Sequence, residues 1–242
     1  MIHYHGLPIT PASASSAVLS GRHAFLSYAN PEQLDICIEV CQSFAVDNGA
    51  FPAFTSGKPV KDWKPYYQWV ESIKNHPNFD FAVIPDEIDG DEIDNDNLIA
   101  EWEFDKSMSA PVWHMHESIE RFYTLCNNWS RVCIGSSGAY WKIGNDQWWA
   151  RIGTALNEIV DDNGQPPCKL HGLRMLNPEI FSRLPLASAD STNLARNIGI
   201  DKKWTGSYSP PDKEWRAKVI ASRIEAHNSA SAWSEMVQDQ LF

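Results

Sequence analysis

Residues 24–47, AFLSYANPEQLDICIEVCQSFAVD, hold the pattern that decides the fold. The run AFLSY is short, apolar and suited to a strand. After it, Asn30 can cap a helix with Pro31 at the first helical position, and Leu34, Ile38 and Cys41 recur at helical spacing. A second apolar run, SFAVD, follows at residues 43–47. Strand, helix, strand in this spacing is the unit of a parallel sheet.

The same reading extends outward in both directions. Six further runs have the character of AFLSY: residues 2–6 (IHYHG), 79–84 (FDFAVI), 110–115 (APVWHM), 131–135 (RVCIG), 169–173 (KLHGL) and 186–190 (LASAD). Helix signals lie between them. Thr10 and Pro11 precede SASSAVLS, which Gly21 ends; Ile119, Phe122 and Leu125 share a face, as do Trp149, Ile152, Leu156 and Ile159; and Asn177 with Pro178 opens a short helix. Eight strands alternating with helices predict an α/β protein with a closed (β/α)8 TIM barrel over residues 1–200. Residues 212–227 and 230–241 predict extra C-terminal helices, so 201–242 reads as a helical extension packed on the barrel. A doubly wound open sheet is the alternative.

The chain has 242 residues, 43% hydrophobic, with 11 Trp, 7 Tyr and 10 Phe, enough for one sizeable core. No stretch approaches the roughly 18–20 apolar residues of a membrane span, and MIHYHGLPIT lacks the features of a signal peptide. A soluble, intracellular, cytoplasmic protein without a membrane partner is expected. Five cysteines without a C-x-x-C pair agree with a reducing compartment.

The formal charge of −11 speaks against a nucleic-acid partner until its distribution is considered. Residues 86–97, DEIDGDEIDNDN, hold seven acids and no base, and read as a solvated loop. Residues 196–223 hold seven Lys/Arg against three acids, among Trp204, Tyr208 and Trp215. A basic, aromatic surface near the C-terminus is therefore expected to meet a nucleic-acid backbone through Arg196, Lys202, Lys203, Lys213 and Arg216.

In a barrel of this kind the active site stands at the C-terminal ends of the strands. There the sequence places Asp47 and Asn48, Asp86, His114 and His116, Ser136 and Ser137, His171, and Asp190. His3 and His5, like His114 and His116, are two apart, so each pair shares a strand face. With Asp190 this pattern resembles the metal-dependent amidohydrolase barrels, which makes a hydrolase one alternative. RVCIGSSG carries no histidine to complete that set. A catalytically inactive barrel that binds nucleic acid or a protein is a further alternative. G-x-G-x-x-G, the P-loop signature and H-E-x-x-H are absent from the sequence.

Asp47-Asn48-Gly49-Ala50-Phe51 resembles the D-S-G-G-F motif of the tRNA-guanine transglycosylase superfamily. The family's other stations follow in order: Asp86 in VIPDEIDG, Gly135-Ser136-Ser137-Gly138, His171-Gly172 in LHGLRM, and Asp190-Ser191 in SADSTN. The resemblance implies a pentosyltransferase that displaces guanine from its sugar and inserts a 7-deazaguanine base (preQ0-like), chemistry related to queuosine and archaeosine formation. It implies Asp190 as the nucleophile on C1′ and Asp47 as the general acid/base. Two displacements at one anomeric carbon do need one carboxylate within bonding reach and another to move protons. Asp86 would accept the base's N1–H and 2-amino group in bidentate fashion. Asn48, Phe51, Gly135, Ser136, Ser137, His116, His171 and Gly172 complete the expected base site.

The tRNA enzymes also carry a cysteine-rich zinc site beyond the barrel. After Cys168 this sequence has no cysteine, so no zinc subdomain, no metal and no cofactor are expected. The chain is similar in this respect to the compact DNA-directed 7-deazaguanine transglycosylases of phages and bacterial DNA-modification systems. That makes DNA the expected polymer, tRNA the alternative, and leaves room for a protein partner in DNA recognition.

Overall fold

The computed structural model describes residues 1–199 and 210–234. Nine parallel strands curl into a nearly closed barrel within an α/β fold compatible with a TIM-like barrel. They are β1 (Ile2–Gly6), β2 (His23–Ser27), β3 (Ser43–Asp47), β4 (Phe79–Val83), β5 (Ser109–Ala110), β6 (Val112–His114), β7 (Arg131–Gly135), β8 (Lys169–Gly172) and β9 (Ser188–Ser191). Their order is β5-β4-β3-β2-β1-β9-β8-β7-β6.

The sequence predicts eight strands, and the ninth has a local cause. Pro111 lacks an N–H and divides the fifth run into β5 and β6. On one side Ser109 and Ala110 pair with Ala82 and Val83 of β4. On the other, Val112–His114 pair with Cys133–Gly135 of β7, and the Pro111 carbonyl still accepts from the Cys133 N–H at 2.8 Å. The two ends of the strand order are thus one residue apart in the chain, and the sheet returns on itself.

Ten helices surround the strands among the described residues: α1 (Ala12–Leu19), α2 (Leu34–Val40), α3 (Ala50–Thr55), α4 (Lys64–Ile73), α5 (Glu92–Glu101), α6 (Ile119–Asn128), α7 (Asp146–Ile159), α8 (Pro178–Phe181), α9 (Asn193–Asn197) and α10 (Lys213–Glu225). Side-chain caps start several of them: Ser118 for α6, Asn145 for α7, Asn177 for α8 and Asp212 for α10. The helix expected from Pro31 begins later, at Leu34. Gln33 explains the delay, because its side chain bonds the Ile9 N–H and carbonyl at 3.0 and 2.7 Å and holds residues 31–33 as a turn.

Alternation of side chains along the strands builds two apolar layers. Tyr4, Phe25, Ala45, Phe81, Val83, Ala110, Val112 and Cys133 fill the barrel's interior, while the opposite faces pack under the helices. A bulge in β4 interrupts the alternation: Phe44 pairs with Phe79 but Val46 with Ala82. The extra residue turns both Asp80 and Phe81 inward, where Asp80 bonds the Tyr4 hydroxyl and pairs with Arg131 at 3.2 Å.

Two expectations need correction. The acidic run is not a solvated loop throughout, since α5 begins within it. Asp91 and Asp94 form a capping box, and acids in the first turn suit the positive end of the helix dipole. Residues 230–234, expected to start a helix, form an irregular strap: Ala230 N–H donates to the Leu184 carbonyl, and Trp233 N–H to the Gly164 carbonyl at 2.8 Å. The rest of that stretch, and Lys202 and Lys203, lie outside the described residues. α10 packs against α1 and α9. No helix among the described residues is long and apolar enough to cross a membrane.

Candidate active site

The strand register delivers the acids to one end of the barrel. Asp47 ends β3 level with Ser27 of β2, and Asp190 lies next to last in β9, level with Tyr4 of β1. Asp86 follows β4. All three line one cavity of about 500 Å³, together with Asn48, Phe51, Gly135 and Ser136.

Each carboxylate is held differently. Asp47 Oδ2 accepts from Ser27 Oγ at 3.0 Å and from the Gly49 N–H at 3.2 Å. Gly49 can turn the chain there because it takes φ +83°, with Ala29 only 3.1 Å from where a Cβ would stand. Burial, followed by the negative charges of Asp86 and Asp190, pushes the Asp47 carboxyl up to about 7. Like charges around one cavity make protonating one of them favourable, so this carboxyl can both give and take a proton near neutrality.

Asp86 is held from two sides. Its Oδ1 accepts from Asn48 Nδ2 at 2.7 Å, and its Oδ2 lies 2.9 Å from His114 Nε2. Asn48 also donates to the Ile84 carbonyl at 2.8 Å and accepts from the Ala50 N–H at 2.7 Å. It therefore braces the turn after β3 against the turn after β4. Asp190 Oδ1 accepts from the Arg174 N–H at 2.8 Å, with His171 Nε2 3.4 Å away. Its Oδ2 has no protein partner among the described residues. His171 itself is fully buried, bonded through Nδ1 to Ser188 Oγ at 2.8 Å and stacked on Phe25 at 5.1 Å. Burial lowers its pKa against the opposing pull of Asp190.

The residues expected at the base site do not all reach the cavity. Asn48, Phe51, Asp86, Gly135 and Ser136 line it. His171 stands behind Asp190, and Gly172 packs against Met175 and Leu186. Ser137 is buried, its hydroxyl 2.8 Å from Nδ1 of His116. His116 is exposed and joins Ser137 to the Gly90 carbonyl, 3.0 Å from Nε2, so it ties two rim loops together. The histidine on the cavity is His114, two residues earlier and on the strand itself. The sequence already places His114 at this strand end, and period-two alternation favours it over His116, because His114 and Val112 share the inward face of β6.

Arg174 is a cavity residue that the sequence does not single out. It lines the cavity, and neither its residue type nor its place in LHGLRM distinguishes it from an ordinary loop arginine. Of the cations expected on a nucleic-acid surface, Arg196 lies on α9 at the cavity's edge. Lys213 and Arg216 lie on α10, where Arg216 donates to the Pro210 carbonyl at 2.9 Å.

The residues of the amidohydrolase alternative are not brought together. His3 and His5 point outward from β1: His3 Nε2 is 3.0 Å from the His227 carbonyl, and His5 Nε2 is 2.8 Å from Glu225 Oε1. Among the described residues no group of three or more His, Cys, Asp or Glu side chains is arranged to hold a metal ion. Comparison of the chain with protein-family models, with curated proteins and with solved structures gave no match in any of the three.

Proposed function

We propose that the protein is a base-exchange transglycosylase that replaces guanine in DNA with a 7-deazaguanine. The observation that carries this reading is the convergence of Asp47, Asp86 and Asp190 on one cavity, with Asp47 near pKa 7. In this reading β5 and β6 count as one strand interrupted at Pro111, and the fold is an eight-stranded (β/α)8 barrel with an added C-terminal helix.

Asp190 attacks C1′ of the target nucleotide with its open Oδ2, forming an aspartyl-sugar ester as the bond to guanine N9 breaks. Asp47 supplies a proton to the departing base. It then takes one from the incoming base, whose N9 attacks C1′ and displaces Asp190. Asp86 receives the N1–H and 2-amino donors of either base, its orientation fixed by Asn48 and His114. The target base must first leave its stack, at about a few kcal/mol.

Strand order gives the site a direction. Along β4-β3-β2-β1-β9, Asp86 after β4 and Asp190 near the end of β9 belong to strands four steps apart, on opposite sides of the ring when β5 and β6 count as one strand. A nucleotide whose sugar meets Asp190 thus points its base toward Asp86. Its phosphates lie on the side of Arg196 and α10, away from the acids of α5. tRNA is the alternative polymer. The test is to incubate the chain with labelled guanine or 7-deazaguanine and either duplex DNA or tRNA. Label entering DNA supports the proposal, label entering only tRNA moves it to that substrate, and label entering neither overturns base exchange.

A further inference from the structure

Arg174 follows β8 with φ +60°, the one positive φ at a non-glycine residue among the described residues. Side chains other than glycine, asparagine and aspartate rarely adopt that region, so an arginine there is an outlier that asks for a reason. The turn itself serves Asp190 through the backbone N–H, which needs no side chain.

The side chain makes different contacts. Its Nη2 donates to the Ser136 carbonyl at 2.9 Å, and the guanidinium lies 4.2 Å from the centre of the Phe51 ring. Phe51 follows β3 and Arg174 follows β8, four steps apart along β3-β2-β1-β9-β8. The two meet across the barrel's mouth, over the cavity they both line. Among the described residues no carboxylate is in direct ion-pair contact with the guanidinium; the charge of Asp190, which its own backbone N–H already bonds, reaches it from a distance, and Arg196 adds a second positive charge nearby. A flat cation resting on a ring and bonded to a carbonyl, with no carboxylate in direct contact, occupies the place a flat ligand with an N–H edge would take.

We propose that Arg174 and Phe51 are the two walls of a slot that closes on a planar heteroaromatic base, with Arg174 as the positioning residue. The base enters between ring and guanidinium, and one of its N–H groups replaces Nη2 on the Ser136 carbonyl. This rests on the base-exchange reading for the identity of the ligand, a purine or 7-deazapurine. It adds the element that holds the base flat while Asp86 grips its edge.

Equilibrium dialysis with labelled guanine and thermal melts, on the wild-type chain and on Arg174→Gly, Arg174→Lys and Phe51→Leu, test it. Glycine keeps the N–H to Asp190 and suits the backbone. Arg174→Gly should therefore melt no lower than wild type, yet bind guanine about ten-fold more weakly, the scale of one lost stacking contact. Arg174→Lys keeps the charge without the flat face and should not restore binding. Phe51→Leu should weaken binding similarly. Binding by Arg174→Gly within about two-fold of wild type, full rescue by lysine, or a lowered melting temperature that accounts for the loss would each overturn the slot. If Arg174-dependent binding is seen but no label reaches DNA or tRNA, base exchange fails and the slot stands. If Arg174→Gly transfers label at the wild-type rate, the slot fails and base exchange stands. A wild-type chain that binds neither guanine nor 7-deazaguanine overturns both.

Discussion

Asp47 shows how one side chain sets a stability cost against a chemical use. With its carboxyl at about 7 instead of the ordinary value near 4, the folded chain keeps a proton that the unfolded chain has released between those pH values. Stability therefore falls as pH rises from about 4 to about 7, and the cost is complete above the folded value. Asp47→Asn should remove it: the variant should be more stable than wild type at pH 8 by about 1–3 kcal/mol and level with it near pH 3. Urea titrations at the two pH values check this, and a variant no more stable at pH 8 would show that burial and the neighbouring charges do not strain Asp47. The same substitution should slow exchange by about 10²- to 10⁴-fold. Asp190→Ala should cost about 10⁴-fold or more and abolish any covalent sugar adduct, located by mass spectrometry; an adduct on Asp47 instead would reverse the two roles. Asp86→Ala should act on binding of the base, at about 1–3 kcal/mol, by leaving two of its donors unpaired.

Among the elements, α10 is the one whose attachment depends most on charge. Glu225 near its end meets His5 Nε2 at 2.8 Å and Arg22 Nε at 2.9 Å. Burial alone would raise the Glu225 carboxyl, but the hydrogen bonds from His5 and Arg22 outweigh it and hold it at about 2. A depressed pKa contributes stability above the unfolded value near 4.5, and loses it as pH falls toward 2. Glu225→Gln should cost about 1–2 kcal/mol at pH 7 and make the variant's stability less sensitive to pH between about 4.5 and 2. Chemical denaturation followed across that range measures it; an unchanged acid transition would mean that α10 is held by its apolar contacts with α1. In α5, Asp91 accepts from the Ile93 and Asp94 N–H groups, so Asp91→Ala should cost about 1 kcal/mol through the lost cap.

Across the whole molecule, the strap at residues 230–234 binds the C-terminal part of the described chain back to the barrel. Gly164 has φ +74°, and a Cβ there would stand 2.1 Å from the Trp233 carbonyl, while the Trp233 indole donates to Asn157 Oδ1 at 2.6 Å. Gly164→Ala should force the strap away and destabilise the chain by about 2 kcal/mol or more. A loss below about 0.5 kcal/mol in urea unfolding would show that the strap is not coupled to the core. The separation of charge across the mouth makes a second global prediction. Arg196→Ala should weaken DNA binding and reduce the slope of log K against log salt by about one unit, as loss of a single phosphate contact does. An unchanged slope would place the phosphates elsewhere.

What the sequence determined by itself was most of what depends on local pattern. The apolar runs ending in polar residues mark where the strands stop, and Asp47, Asp86 and Asp190 are legible because a parallel barrel gathers those ends. Asn177 announces its helix for the same local reason, supplying a cap oxygen to a free N–H. Only the tertiary structure decided what depends on direction and partner. The sequence shows His3, His5, His114 and His116 as two equal pairs, but β1 turns His3 and His5 toward α10 while His114 faces Asp86. The acidic run reads as a loop because its charge hides a helix whose start depends on the Asp91 cap and on Asn95 being buried against Glu117. Arg174 is invisible for the strongest reason. Its contacts with Ser136, Asp190 and Phe51 come from three other segments of the chain, and no spacing along a single segment encodes a meeting across the mouth of a barrel.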